Sequence, residues 1–219
     1  MTFLRDFFFV YVLIVGAFGL IKTKNAAKSY WTTFPWFLLL VGAMDGFGLY
    51  INEFLSKEYP KLNFYYYQLL VIPLQVIYYM WIINNNIISK KRLFIIGSII
   101  FYLSAIVEAF SLFKTDGYFF NSVSYMIANV IMLANILRYF YQLSKSDRIL
   151  IFYKERMFWV CLGLLIFWLG ALPFFGIFNY LLKHFHAIFI VYFNVILIFN
   201  YLMYTCFLVS FLWTERERS

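Results

Sequence analysis

Residues 157–182 read MFWVCLGLLIFWLGALPFFGIFNYLL and contain no charged side chain. About 20 apolar residues in an α-helix, rising 1.5 Å each, cross the hydrocarbon layer of a bilayer. The whole chain of 219 residues is 64% hydrophobic, 25% aromatic and 13% charged. Soluble domains are closer to half apolar and a quarter charged. The composition therefore predicts a polytopic membrane protein and excludes a soluble domain with a polar surface.

Similar apolar stretches recur along the chain and predict one all-α domain, 1–219, folded as a bundle of seven transmembrane helices. The predicted helices cover 4–21, 31–54, 64–84, 93–113, 118–141, 157–182 and 187–213. Because the connections between them are short, no room remains for a soluble domain.

The connections alternate between rich and poor in Lys and Arg. The rich side receives Lys22, Lys24, Lys28, Lys90, Lys91, Arg92, Lys145, Arg148, Lys154, Arg156, Arg216 and Arg218. The poor side receives Arg5, Lys57, Lys61, Lys114 and Lys183. The positive-inside rule assigns the rich side to the cytoplasm. We therefore expect a multi-pass protein of the bacterial cytoplasmic (inner) membrane, with the N-terminus outside and the C-terminus inside. Its net charge of +8 is expected to face lipid head groups, and no nucleic-acid partner is predicted.

Polar side chains at membrane depth mark a candidate site, because lipid does not solvate them. The candidate ligand-binding residues are Asp45, Tyr65, Gln68, Gln75, Glu108, Asn121 and Asn194. Gln68 and Gln75 are seven residues apart and so share one helical face. In the last helix Tyr201 shares a face with Asn194, and Asn200 lies off to the side. We expect these polar faces to surround a cavity on the outer side of the membrane. The alternative is that the Asn, Gln and Ser groups only hydrogen-bond between helices and hold the bundle together.

A cavity that combines carboxylates with aromatic walls favours a cationic or polyhydroxylated ligand. Next to Asp45, Gly42 and Gly46 lie one turn apart and predict a close helix–helix contact. The stretch GAMDGFGLY at 42–50 also resembles GALPFFGIF at 170–178. A duplicated three-helix unit joined by a linker helix, the 3+1+3 arrangement of some small-solute transporters, would produce such a repeat.

Several motifs are spread over most of the chain: Phe34-Pro35, Asp45, Pro73-Leu74-Gln75, the run ERMFWVCLGLLIFW at 155–168, and Leu172-Pro173. In this layout the chain resembles a group of small seven-helix bacterial membrane proteins. That group has no assigned activity, although some sensor proteins carry similar membrane modules. The resemblance implies a membrane-embedded fold and no particular chemistry.

The first half of the chain is also similar to the seven-helix lycopene cyclase domains, which have a helix-2 acid followed by Pro-Leu-Glu-Glu in helix 3. Here the stretch reads Pro73-Leu74-Gln75-Val76. The two glutamates that would carry acid catalysis in that family are missing, so the resemblance implies the scaffold without the cyclase activity.

The sequence contains no recognisable nucleophile–base pair or metal-binding motif. Its two His, His184 and His186, are two residues apart in a predicted outer loop, and two His without further ligands are weak evidence for a metal site. We expect no cofactor and no metal, and an enzymatic role is not favoured. The preferred interpretation is a sensor or receptor-like module that binds an unknown small ligand and acts through a membrane-protein partner. The alternatives are a small-solute transporter of the 3+1+3 type, a structural subunit of a membrane complex, and a lipid or isoprenoid enzyme.

Overall fold

The computed structural model describes residues 2–24, 29–86, 92–114 and 120–213, and every regular element within these ranges is helical. Helix α1 is Phe8–Thr23, preceded by the short helix Thr2–Asp6. Helix α2 is Ser29–Tyr50, continued by the π-helical turn Ile51–Leu55. Helix α3 comprises Leu62–Tyr66, the π-helical turn Tyr67–Val71 and Ile72–Asn86. The remaining long helices are α4, Arg92–Lys114, α5, Ser122–Ser144, α6, Arg156–Gly176, and α7, His186–Ser210.

Two shorter helices complete the described part of the chain. The 3₁₀ segment Asp147–Lys154 connects α5 to α6, and Phe178–His184 connects α6 to α7. The structure differs here from the predicted continuous helix over 157–182. Pro173 lacks the N–H that would bond the carbonyl one turn earlier, and Gly176 is a poor helix former, so the helix breaks at Ile177.

Six described helices are long and apolar enough to cross a membrane, and in the other long helix, α4, the apolar stretch Phe94–Phe110 is shorter. The outward faces of the bundle are apolar: Leu103, Val107, Leu137 and Val191 each expose about 60% or more of their surface. Soluble monomers rarely expose contiguous apolar surface on this scale. The all-helical fold is therefore typical of a membrane protein. The predicted start of the fifth helix at 118 lies outside the described residues, as do Lys28, Lys90, Lys91, Arg216 and Arg218.

Glycines allow two helix pairs to pack closely. A Cβ added to Gly42 would lie 2.8 Å from the Leu13 side chain of α1, and one added to Gly46 would lie 3.1 Å from the Phe9 ring. The predicted close contact at these glycines is confirmed. The matching Gly170 of α6 instead meets the Phe199 ring of α7. The two similar stretches thus pack against helices that are not equivalent in a three-helix repeat.

The end of the bundle where α2 and α6 begin and α7 ends is closed by buried aromatic residues. The Phe34 ring lies 5.3 Å from Phe207 and 5.5 Å from Phe211. Arg156, treated above as a loop cation, is buried here. Its guanidinium lies 5.6 Å from the centre of the Trp31 ring, and its Nε donates to the Trp213 carbonyl. The cation–π contact and the hydrogen bond join the three helix ends.

Candidate functional site

A cavity of about 450 Å³ lies within the opposite half of the bundle, where α1 begins and α2 ends. We call it the aromatic cavity, because nearly half of its lining residues are Phe, Tyr or Trp. The lining consists of Arg5, Phe8, Asp45, Gly48, Leu49, Asn52, Asn63, Phe64, Tyr67, Gln68, Val71, Ile72, Gln75, Val76, Phe120, Tyr125, Phe167, Trp168, Phe175, Phe178, Phe193, Leu197, Asn200 and Tyr204. Arg5 and Asn52 are exposed, so the cavity reaches the molecular surface at this end. Its volume is within the range of small-molecule sites.

Asp45 supplies the carboxylate of this lining. The side chain is half-buried on α2, and its Oδ1 accepts a hydrogen bond of 3.3 Å from the Tyr67 hydroxyl of α3. Within the described ranges no Lys or Arg forms an ion pair with Asp45. Arg5, at the exposed rim, is paired with Asp6 at 3.0 Å. Asp45 is therefore a carboxyl group held by one hydroxyl and facing a cavity.

Side-chain amides add neutral polar groups to the lining. Gln75 and Asn52 line the cavity, and no hydrogen bond from either side-chain amide to another described residue is seen. Asn200 is engaged locally, because its Nδ2 donates to the Ile196 carbonyl at 3.2 Å. The Oδ1 of Asn63 is buried without a hydrogen-bond partner. Gln75 and Asn52 are thus the amides whose groups are available to a ligand.

Rings from α5 and α6 and from the segments beside them form a continuous part of the cavity wall. Tyr125 lies 4.3 Å from Phe175 and stacks on Trp168 at 5.3 Å. Phe120 lies 4.6 Å from Phe178. These ring pairs pack at the distances usual for aromatic contacts.

Both described π-helical turns contribute to the cavity. Asn52 belongs to the turn Ile51–Leu55, and Tyr67 belongs to the turn Tyr67–Val71. Pro73 is the second residue after this turn and has no N–H to donate to the carbonyl four residues earlier, which disturbs the α-helical hydrogen bonding within the turn. A π-helical turn changes the direction of the side chains it carries and is frequent at functional sites.

Glu108 does not line the aromatic cavity. Its Oε1 accepts from the Val123 backbone N–H at 3.0 Å, and its Oε2 accepts from the Ser124 backbone N–H at 2.6 Å. These donors belong to the first turn of α5, where backbone N–H groups have no partner inside the helix. A carboxylate at a helix N-terminus also interacts favourably with the helix dipole. Glu108 therefore caps α5.

Two further side chains hold the same helix start. Gln68 of α3 accepts from the Asn121 backbone N–H at 2.6 Å. Asn179 donates to the Phe120 carbonyl and accepts from the Phe120 backbone N–H, both at 2.8 Å. We call Gln68, Glu108 and Asn179 the α5 clamp. Asn121 lies buried at this clamp and beside a second, much smaller cavity.

Tyr65 and Asn194 also lie outside the lining of the aromatic cavity. Tyr65 is half-buried in the first turn of α3, and Asn194 is half-buried on α7. The α7 face predicted from Asn194 and Tyr201 is directed at α1 and the short helix before it. The Tyr201 ring lies 5.1 Å from the Tyr11 ring of α1, and its hydroxyl donates to the Leu4 carbonyl at 2.7 Å. Of the seven predicted site residues, the structure therefore brings Asp45, Gln68 and Gln75 together in the cavity.

Sequence reasoning did not select Tyr67, Asn52 or Trp168. Asn52 had a usable signal, because it follows Asp45 by seven residues and so shares its helical face. Tyr67 and Trp168 had none, because aromatic residues are a quarter of the chain and occur on every helix.

Within the described residues, no group of three or more His, Cys, Asp or Glu side chains could hold a metal ion. His184 and His186 are exposed at either end of the break before α7.

No protein-family model, curated protein or solved structure matches the chain. The proposed function therefore rests on the aromatic cavity and the residues around it.

Proposed function

We propose that the protein crosses the bacterial inner membrane seven times, with the N-terminus outside, and binds a small ligand in the aromatic cavity on the outer side. In this proposal it is a sensor or receptor-like module that acts through a membrane-protein partner. The observation that carries it is the cavity itself: about 450 Å³ of space lined by aromatic rings, with Asp45 and Gln75 presenting polar groups. Ligand sites are usually apolar pockets that contain a small number of polar groups.

The distribution of charge supports the orientation. The described cations at the cavity end are Arg5, Lys57, Lys61, Lys114 and Lys183. The described cations toward the opposite end are Lys22, Lys24, Arg92, Arg138, Lys145, Arg148, Lys154 and Arg156. The positive-inside rule then assigns the cavity to the outer side. Helix α4, Arg92–Lys114, is long enough to serve as the seventh span.

The α5 clamp supports sensing. Phe120 and Tyr125, at the start of α5, line the cavity, so a ligand there contacts the helix whose start the clamp holds. The other end of α5 leads into the basic segment Asp147–Lys154 and the buried Arg156. A ligand that favours one position of α5 would change this cytoplasmic end, which a partner could recognise.

Sensing and transport differ in what they require of the closed cytoplasmic half. Transport by alternating access would require Phe34, Phe207 and Phe211, which are fully buried, to separate. Sensing requires only a movement of α5 relative to this packing.

Cysteine accessibility tests the proposed function. Cys161 and Cys206 are replaced by Ala, Gln75 is replaced by Cys, and vesicles are treated with the membrane-impermeant reagent 2-(trimethylammonium)ethyl methanethiosulfonate. We expect modification in right-side-out vesicles and none in inside-out vesicles. The matched control is Leu103→Cys, near the middle of α4 with 60% of its surface exposed on an apolar face. A thiol facing lipid does not ionise and should not react. Lack of modification at Gln75→Cys from outside, or equal modification at Leu103→Cys, would contradict the proposal.

A further inference from the structure

We infer that the ligand of the aromatic cavity is an organic cation with one positive charge, such as a substituted ammonium, and that Asp45 is its counter-ion. This inference rests on the proposed function and adds the chemical class of the ligand. It depends on the charge of the lining, on the aromatic wall and on the hydrogen bonds that the other polar groups of the lining already form within the protein.

The charge of the lining favours a cation. Asp45 has the Tyr67 hydroxyl as its hydrogen-bond donor at 3.3 Å and forms no ion pair with a described Lys or Arg. The cationic Arg5 at the rim is balanced by Asp6. An anionic ligand would repel the charged form of Asp45, and a neutral ligand would leave the carboxyl group either protonated or without a counter-ion in a poorly solvated space. A cation is the ligand that stabilises the charged form, and a single positive charge balances it.

The aromatic wall favours an organic cation over a metal ion. Calcium takes six to eight oxygen ligands, and magnesium requires a near-octahedral set. The lining offers one carboxylate and no described cluster of metal-ligating side chains. Rings such as Tyr67, Tyr204 and Trp168 instead line the cavity, and aromatic linings bind substituted ammonium groups by cation–π attraction and by burial of their alkyl groups.

The hydrogen-bond inventory disfavours the polyhydroxylated alternative. Gln68, although it lines the cavity, has its Oε1 taken by the Asn121 backbone N–H at 2.6 Å. Asn200 is bonded to its own helix at 3.2 Å. A polyol needs several accessible donors and acceptors arranged around it. The Asn63 Oδ1 and Trp168 Nε1 atoms have no partner but are buried, so the lining leaves chiefly Asp45, Gln75 and Asn52 for that purpose.

The experiment compares two reagents that differ in charge. Gln75→Cys, in the background without native cysteines, is modified from outside with 2-(trimethylammonium)ethyl methanethiosulfonate, itself an organic monocation, and with the anionic 2-sulfonatoethyl methanethiosulfonate. The modification rate with each reagent is divided by the rate at which the same reagent reacts with a small thiol in solution, which corrects for the different intrinsic reactivity of the two reagents. We expect the normalised rate of the cationic reagent to exceed that of the anionic one about tenfold, because a nearby carboxylate concentrates cations and repels anions.

Two variants assign the preference to Asp45. Asp45→Asn keeps the shape of the side chain and should reduce the ratio to about one, whereas Asp45→Glu should retain a ratio well above one. Glu108→Gln is the matched control, because it also removes a carboxylate but at the α5 cap, outside the lining. It should leave the ratio unchanged.

The outcomes separate this inference from the proposed function. Modification by both reagents with a ratio near one, or with the anion faster, leaves the outer cavity in place and overturns the cation assignment. This holds for the chain with Asp45 intact, so it does not depend on the folding of Asp45→Asn. An unchanged ratio in a folded Asp45→Asn protein also overturns it. If neither reagent modifies Gln75→Cys, the outer cavity itself is contradicted, and the cation assignment with it.

Discussion

Asp45 and Glu108 are both carboxyl groups within helices, and their surroundings separate their roles. Glu108 accepts two backbone N–H groups at 3.0 and 2.6 Å, which satisfies it structurally. Asp45 has one hydroxyl donor and otherwise faces the aromatic cavity. A carboxyl that caps a helix contributes stability, whereas a carboxyl left beside a cavity is available to a ligand.

Replacing Glu108 by Gln should destabilise the protein by about 1–2 kcal/mol, because the cap loses its charge and one of its two acceptor oxygens. The measurement is thermal or denaturant unfolding of the purified protein in detergent. The matched control is Glu53→Gln, since Glu53 is exposed and its removal should leave stability nearly unchanged. Equal stability of Glu108→Gln and the unmodified protein would contradict the capping role.

At the residue scale, sequence reasoning placed Asp45, Gln68 and Gln75 on helix faces from their spacing, and these three residues do share the cavity. It could not exclude Glu108 from the ligand site, because the partner of Glu108 is the start of α5, which is distant in sequence. Asn200 was predicted to lie beside the polar face of the last helix, yet it lines the cavity. The predicted face, which includes Tyr201, is turned toward the N-terminal helices, and this directs the neighbouring Asn200 into the cavity.

Two helix pairs depend on glycine, but with different tolerance for added volume. A Cβ on Gly163 of α6 would lie 2.8 Å from the Met203 backbone carbonyl of α7, which cannot turn away. A Cβ on Gly46 of α2 would lie 3.1 Å from the Phe9 ring, which can adjust. The α6–α7 contact is therefore the more constrained of the two.

Gly163→Ala should cost about 1–3 kcal/mol of stability, as overpacking of a tight contact usually does, and Gly46→Ala should cost clearly less. Unfolding of both variants under the same detergent conditions checks the order. The reverse order, or no loss in Gly163→Ala, would show that α6 and α7 are not packed this closely.

At the element scale, apolar length identified the helical stretches and the Gly42–Gly46 contact. It did not identify the π-helical turns Ile51–Leu55 and Tyr67–Val71, because the first contains no proline or glycine and Pro73, after the second, predicts a disturbed helix but not a π-helical turn. The break at Ile177 was missed because residues 157–182 contain no charged side chain, and this apolar length was given more weight than Pro173 and Gly176.

At the scale of the whole molecule, one half of the bundle is packed with aromatic rings and tied together by Arg156, and the other half contains the aromatic cavity. The α5 clamp holds the start of α5, one of the long helices that run through both halves. The proposed receptor-like function uses this asymmetry, with a ligand site at one end and a packed structure at the other end.

The claim that the aromatic cavity binds a ligand is tested most directly by an experimental density map of the full chain in lipid nanodiscs. A bound antibody fragment would increase the size of the particle. We predict an open cavity on the outer side that contains density separate from the protein, next to Asp45 and Gln75 and against Trp168. A map in which the Trp168 and Phe175 side chains fill this space, or in which Asp45 faces lipid chains directly, would contradict the claim.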